Sequence, residues 1–186
     1  MNQKPHTFLA RGVFPAEVRS ALVRVAAGRA AADAVRALSS DVTALQAPAQ
    51  PEVLSAIAER DDWALEHLDL GNHVYSVGVG SAEMLARPVF RTLRSLRLTG
   101  NRIGNDLGHE LAATNLDQLT WLQLGGTRLT AAGVRAVCAS EHLLGVRRPG
   151  LGLVKLAQGG LRALARAHCR SEVAPLARSP SELHSP

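Results

Sequence analysis

The chain has 186 residues, of which 46% are hydrophobic and 20% charged, a composition typical of an ordinary globular protein with one domain. Only 3% of the residues are aromatic, so the core is expected to consist of aliphatic side chains. The net charge of +5 arises in residues 145–186, which hold 7 basic and 2 acidic residues, whereas residues 1–144 hold 14 of each. Nucleic-acid binding is not expected, because a neutral body with a basic tail lacks a broad positive surface.

The first fifty residues are predicted to be mainly helical. The spacing of apolar residues favours helices over residues 15–27 and 30–38, separated near Gly28. The N-terminus lacks the apolar stretch of a signal peptide, and no segment approaches the roughly 20 apolar residues of a membrane span. A cytoplasmic location without membrane contact is therefore expected.

A linker with two prolines, Pro48 and Pro51, follows at residues 46–51. Proline fits the first turn of a helix but not its interior, so Pro51 is expected to open a helix over residues 52–60. Val53, Leu54 and Ile57 give this helix an apolar stripe.

Leucines recur at a fixed spacing from Leu65 onward. Residues 93–103 fit the pattern L-x-x-L-x-L-x-x-N-x-I, and the same leucine spacing occurs once upstream, from Leu65, and once downstream, from Leu119. The leucines of the three copies are Leu65, Leu68, Leu70, Leu93, Leu96, Leu98, Leu119, Leu122 and Leu124. The pattern predicts short parallel strands with inward leucines. Each strand is expected to be followed by a helical segment, at residues 81–86, 105–112 and 130–139.

These repeats resemble the leucine-rich repeat family, and their period with helical segments resembles its ribonuclease-inhibitor-like subtype. The resemblance covers residues 65–139. It implies an α/β solenoid with parallel strands on a concave face, helices on a convex face and a helical N-terminal cap. In that family a turn asparagine donates its side-chain amide to backbone carbonyls. Asn101 matches this position, whereas His73 and Thr127 occupy it in the other two repeats.

Residues 1–50 are interpreted as this cap or, alternatively, as a degenerate repeat. Counting back one period from Leu65 leads to the vicinity of Leu38, but Asp41 then occupies the place of a second core leucine. The cap is the preferred interpretation, because the open end of a repeat array needs shielding. Abundant alanine, and arginine in place of nearly all lysine, are typical of a GC-rich bacterial genome.

A fourth, degenerate repeat is expected after residue 141. Residues 160–165 mirror residues 133–138, which predicts a helix over residues 156–168. In that register Pro149 falls on an inward strand position, where the strand would lose a core side chain and a hydrogen-bond donor. A second register, with Leu151, Val154 and Leu156 as the strand leucines, needs an insertion. The repeat domain is thus assigned to residues 51–170, and the Pro- and Ser-rich residues 171–186 are predicted to be a disordered tail.

Catalytic and metal-binding motifs are not found in the sequence, so no enzyme activity, cofactor or metal is expected. The glycine-rich stretch before Ser81 is interpreted as a turn with Ser81 as the helix N-cap. Glu66, His67, Asp69 and His73 form the densest cluster of acidic and imidazole groups, but a third ligand of matching geometry is not evident. Cys138 is expected to be a packed thiol, because it lies on the apolar stripe of its helix.

The predicted binding site is the concave face of the strands. Its candidate residues are His67, Asp69, Arg94, Arg97, Trp121 and Gln123. Glu66 is expected to pair with Arg94, and Asp69 with Arg97, as exposed ion pairs. Exposed Trp121 and Arg97 are predicted to be the anchors of an interface, and His67 is predicted to add pH sensitivity. The alternative for Trp121 is that its ring folds down over Gln123 or Arg94.

The expected function is a non-catalytic protein–protein interaction module or scaffold, a monomer with a protein partner. Two alternatives stand beside it. The first is a truncated or divergent repeat fragment without its own activity. The second is an effector-like ligase accessory lacking its catalytic domain, since the roughly forty residues after the repeats are too few for one.

Overall fold

A computed structural model describes residues 16–71, 85–101, 104–146 and 148–150, which form a mixed α/β structure around an all-parallel sheet. The strands are β1 (Val23–Arg24), β2 (Ala44–Gln46), β3 (His67–Asp69), β4 (Ser95–Arg97), β5 (Trp121–Gln123) and β6 (Arg148–Gly150). The α-helices are α1 (Ala16–Ala21), α2 (Ala31–Arg36), α3 (Pro51–Ala58), α4 (Pro88–Arg91), α5 (Gly104–Ala113) and α6 (Ala131–Ala139). A short 3₁₀ helix, Glu141–Leu143, follows α6. None of the helices in these ranges is long and apolar enough to cross a membrane.

Each strand pairs with the next strand along the chain, so the order in the sheet is the order in the sequence. The central partners are Val23, Leu45, Leu68, Leu96, Leu122 and Pro149. Their separation along the chain is shortest between β1 and β2 and longest between β3 and β4. The strand positions predicted from the leucine spacing are confirmed for β3, β4 and β5.

One face of the sheet packs against the helices in a single aliphatic core. The strand leucines of this core are Leu45, Leu68, Leu96 and Leu122, each 0% exposed. Helix residues of the same cluster include Val35, Ile57, Phe90, Leu111 and Val134. Because successive residues of a strand point to opposite faces, the neighbours of these leucines lie on the other face of the sheet.

The N-terminal residues differ from the helical prediction. Helix α1 ends at Ala21 and β1 follows, so the continuous helix expected over residues 15–27 is wrong beyond Ala21. Helix α2 confirms the central part of the helix expected over residues 30–38. Strand β2 is also part of the sheet, with Leu45 opposite Leu68. Counting back from Leu65 by the period of the later repeats missed β2, because the offset from Gln46 to Asp69 is only 23 residues.

The later helices agree with the sequence where they are described. Helix α3 has Pro51 in its first turn, as predicted. Helices α5 and α6 confirm the segments expected at residues 105–112 and 130–139. Helix α4 was not predicted. The helix expected at residues 81–86 lies largely outside the described residues, as do the whole of residues 156–168 and the tail 171–186.

Asn101 holds the turn after β4. Its side chain is 0% exposed, and its Nδ2 donates to the carbonyl oxygens of Leu70 at 2.7 Å and Leu98 at 3.1 Å. The amide bonding that the resemblance implied at Asn101 is therefore present. The corresponding side chain after β5, Thr127, donates its hydroxyl to the carbonyl oxygen of Leu124 within the same turn. His73 lies outside the described residues.

Strand β6 has the first of the two registers considered, with Pro149 opposite Leu122. The direction of the backbone amides explains why proline is tolerated there. The N–H groups of Leu70 and Leu98 donate to carbonyl oxygens of the following strand, each at 2.9 Å. Amides two residues apart in a strand point the same way, so the amide of Leu96 also faces the following strand. Pro149 occupies the equivalent place, and its nitrogen faces away from β5. The expected loss of a donor therefore does not affect the pairing of β5 with β6.

Candidate functional site

The face of the sheet opposite the helices, here called the polar face, contains two rows of side chains. The first row consists of Ala44, His67, Ser95 and Trp121. The second row consists of Arg24, Gln46, Asp69, Arg97 and Gln123. A third row, Glu66, Arg94 and Thr120, lies just before the strands. The three rows together hold all six residues predicted for the binding site.

A chain of hydrogen bonds joins the second row across four strands. Arg24 Nε donates to Gln46 Oε1 at 3.0 Å, and Gln46 Nε2 donates to Asp69 Oδ2 at 3.1 Å. Arg97 Nη1 donates to both carboxylate oxygens of Asp69, at 3.1 and 2.9 Å. Asp69 Oδ1 also accepts from the backbone N–H of Gly71 at 2.8 Å. The carboxylate of Asp69 is thus bonded from both neighbouring strands and from its own turn.

The pair of Asp69 and Arg97 is buried, which corrects the prediction of an exposed pair. The two side chains are 6% and 14% exposed, respectively. Gly71 is part of the reason, because a Cβ atom there would lie 3.0 Å from Arg97 Nη1 and 3.1 Å from Asp69 Oδ1. The close approach of the glycine backbone covers the ion pair. Arg97 therefore has little surface to offer to a partner as an anchor.

Trp121 is also buried, at 5% exposure, so the hypothesis of an open aromatic ring is wrong and the ring is covered, as in the alternative interpretation. Trp121 does not belong to the core cluster formed by the strand leucines, so its burial arises on the polar face. Its row neighbour Ser95 is 5% exposed as well, and Ser95 Oγ is hydrogen-bonded to His67 Nδ1. Strand alternation predicted the direction of Trp121 correctly, but it contains no information about what covers the ring.

The third row holds an exposed ion pair. Arg94 Nε lies 3.3 Å from Glu66 Oε2, with side chains 63% and 40% exposed, respectively. This exposed pair was predicted. The hydroxyl of Thr120 donates to the carbonyl oxygen of Arg94 at 3.1 Å and ties the row to β5. Arg94 is therefore the candidate residue best placed to contact another molecule.

His67 lies between these charges and the buried row. Burial lowers the pKa of His67 below its ordinary value, the nearby Glu66 carboxylate opposes this effect, and the Arg94 guanidinium lowers the pKa further. His67 is consequently uncharged at neutral pH. His67 therefore becomes protonated, and can make the surface sensitive to pH, only at pH values below those usual for histidine.

A buried thiol and an open cleft lie in the described part of the chain. Within it, there is no group of three or more His, Cys, Asp and Glu residues able to hold a metal ion. Cys138 is 4% exposed and packs in the core, as expected for a structural thiol. An open cleft near the beginnings of α2 and α3 contains Arg29 and Glu52 but no nucleophile or histidine. The turn before Ser81 lies outside the described residues.

Arg24, Gln46 and Gly71 belong to the polar face or its turns but were not predicted. The spacing of Val42, Leu45 and Ala47, which repeats that of Leu65, Leu68 and Leu70, would have revealed Gln46. No protein-family model matches the chain, and no curated protein matches it significantly.

Proposed function

We propose that the chain is a leucine-rich-repeat solenoid of the ribonuclease-inhibitor-like kind and acts as a non-catalytic, monomeric interaction module. Its protein partner binds on the polar face. The observation that carries this proposal is the hydrogen-bonded row from Arg24 to Arg97, which crosses four strands. Side chains held in this way lose little conformational freedom on binding, and such preorganisation raises affinity.

The candidate residues differ in burial, and we assign them different roles for that reason. Arg94 and Glu66 are exposed and contact the partner directly, whereas the largely buried Arg97 and Asp69 hold β3 and β4 together. Gln123, which is partly exposed at the end of the second row, contributes a neutral hydrogen-bonding group. Trp121 stiffens the surface instead of anchoring the partner.

The test is affinity capture from an extract of the native cell, with the immobilised parent chain compared with Arg94→Ala and Gln123→Ala. Arg135→Ala is the matched control, because Arg135 is exposed on α6, on the helical side. A protein bound by the parent and by Arg135→Ala should be depleted about tenfold or more by Arg94→Ala, the loss expected for an interface anchor. Circular dichroism confirms that each variant is folded.

Equal recovery of every captured protein by all four chains would contradict the proposal. The alternative, a repeat fragment without its own activity, predicts that no protein depends on the polar face for its capture. The two interpretations therefore differ in a single measurement.

A further inference from the structure

The two ends of the sheet have different hydrogen-bonding capacity. Among the strands of the described residues, β1 pairs with β2 alone and β6 pairs with β5 alone, so these two strands are the edges. An edge strand presents backbone groups that can add a further strand. All pairs are parallel, so β1 of a second copy has the direction needed to continue the sheet beyond β6.

The outer side of β1 is equipped for such an addition. The N–H of Val25 donates to the carbonyl oxygen of Gln46 at 2.8 Å, so Val25 faces β2. By alternation Val23 also faces β2, and the backbone groups of Leu22 and Arg24 point away from the sheet. The outer edge of β1 thus has both donors and acceptors.

The outer side of β6 lacks the central donor. Pro149 is the residue whose nitrogen faces away from β5, and proline has no N–H. Within the sheet, the N–H of the central residue of a strand donates to the carbonyl oxygen of the residue before its partner in the next strand. If β1 of a second copy paired with β6, with Val23 opposite Pro149, that carbonyl oxygen would be the one of Leu22. It would receive no hydrogen bond, because Pro149 has no N–H.

We propose that Pro149 blocks strand addition at the C-terminal edge of the sheet, and that the strand it excludes is β1 of a second copy of this chain. Addition of this kind joins two different surfaces head to tail and does not close, so it would produce open filaments. A proline on an edge strand is a recognised protection against such pairing. Proline at this position removes no hydrogen bond between β5 and β6.

The proposal is tested by replacing Pro149 with residues that carry an N–H. Pro149→Val and Pro149→Ala, compared with the parent by analytical ultracentrifugation over a concentration series, should at least double the weight-average mass at the highest concentrations. Pro51→Val is the matched control, because Pro51 lies in the first turn of α3 and not at a sheet edge. The control should sediment as the parent does, as a monomer.

A second substitution identifies the partner edge. Arg24→Pro removes an outward N–H from β1 without removing a backbone hydrogen bond to β2, so it should return Pro149→Val to the monomer. Arg24→Ala removes the same side chain but keeps the N–H, and should leave the association intact. Monomeric Pro149→Val and Pro149→Ala, each folded by circular dichroism, would overturn the proposal. Self-association of the parent would overturn it too, as would association of Pro149→Val that Arg24→Pro leaves unchanged.

Discussion

Two ion pairs link neighbouring parts of the chain, Asp69–Arg97 within β3 and β4 and Glu66–Arg94 just before these strands, but they have different environments. The Asp69–Arg97 pair is nearly buried, while the side chains of Glu66 and Arg94 remain 40% and 63% exposed. Exposed pairs are screened by solvent and contribute about 0–1 kcal/mol. Removal of one member of a buried pair leaves an uncompensated charge and costs about 3–5 kcal/mol.

Arg97→Ala should therefore destabilise the fold by about 3 kcal/mol or more, because the Asp69 carboxylate stays buried. Arg94→Ala, the matched control on the same strand edge, should lower the free energy of unfolding by less than about 1 kcal/mol. Urea denaturation at neutral pH measures both. Equal losses for the two variants would show that the burial of the Asp69–Arg97 pair has no energetic consequence.

His67 should make stability depend on pH. The unfolded chain takes up its proton near the ordinary pKa of 6.5, whereas the folded chain does so only at lower pH. Between these values the unfolded state binds more protons, so stability falls as the pH decreases from about 6.5 towards the lowered pKa. His67→Gln should flatten this part of the curve of unfolding free energy against pH. A slope unaffected by His67→Gln would refute this prediction.

For single residues, the sequence predicted which face of the sheet a side chain lies on better than whether the side chain is buried. The pairing of Asp69 with Arg97 follows from the strand register, which the leucine spacing determines. The burial of Arg97 and Trp121 depends on groups outside that spacing, such as the backbone of Gly71. A repeat pattern contains no information about such contacts.

At the scale of helices and strands, glycines allow α5 and α6 to pack in close contact. A Cβ atom on Gly108 of α5 would lie 3.1 Å from the Cα atom of Gly133 in α6 and 2.8 Å from Leu129 Cδ2. Asn105, at the start of α5, adds a polar link, since its Oδ1 accepts from the N–H groups of Thr130 at 2.9 Å and Gly133 at 3.2 Å. The two helices therefore pack as one unit.

Gly108→Ala should lower the melting temperature, although alanine favours a helix over glycine by about 1 kcal/mol. The added methyl group would force α5 away from the backbone of α6, and overpacking of this kind costs about 1–3 kcal/mol. His109→Ala, an exposed change on the same helix, should leave the melting temperature nearly unchanged. Thermal unfolding followed by circular dichroism distinguishes the two, and a gain in stability for Gly108→Ala would disprove the close-contact argument.

Elements with the regular period were predictable, and those with a shorter period were not. Strands β3 to β5 were located from their leucines, and so was the position of Pro149 opposite Leu122. Strand β2 was missed because the chain shortens to 23 residues between Gln46 and Asp69. Strand β1 has only two residues and follows α1 closely, so apolar spacing alone favoured a longer helix.

At the scale of the whole molecule, the core of the described residues is continuous from α2 to Val146, beyond α6. Leu96 lies at its centre, 0% exposed, between Leu68 and Leu122 on the neighbouring strands. Truncation of Leu96 removes contacts with the neighbouring strands on both sides, β3 and β5. The stability of the molecule should therefore be most sensitive to this position.

Leu96→Ala should cost about 2–5 kcal/mol through lost burial and the cavity left behind. Leu144→Ala is the matched control, because Leu144 is 68% exposed and its truncation removes little contact. Chemical denaturation measures the free energies, and hydrogen exchange shows how far the loss of protection spreads from β4. An unfolding free energy unchanged in Leu96→Ala would reject the register of the sheet.

The sequential order of the strands has a kinetic consequence. Every strand pairing closes a loop of similar length, the shortest joining β1 to β2 and the longest joining β3 to β4. Loop-closure entropy grows only with the logarithm of length, so these two closures differ by about 0.2 kcal/mol. Chain connectivity therefore favours no pairing over the others. Folding should begin where the most apolar surface is buried, around β3 and β4, and spread in both directions, faster than is usual for sheets that join distant parts of a chain.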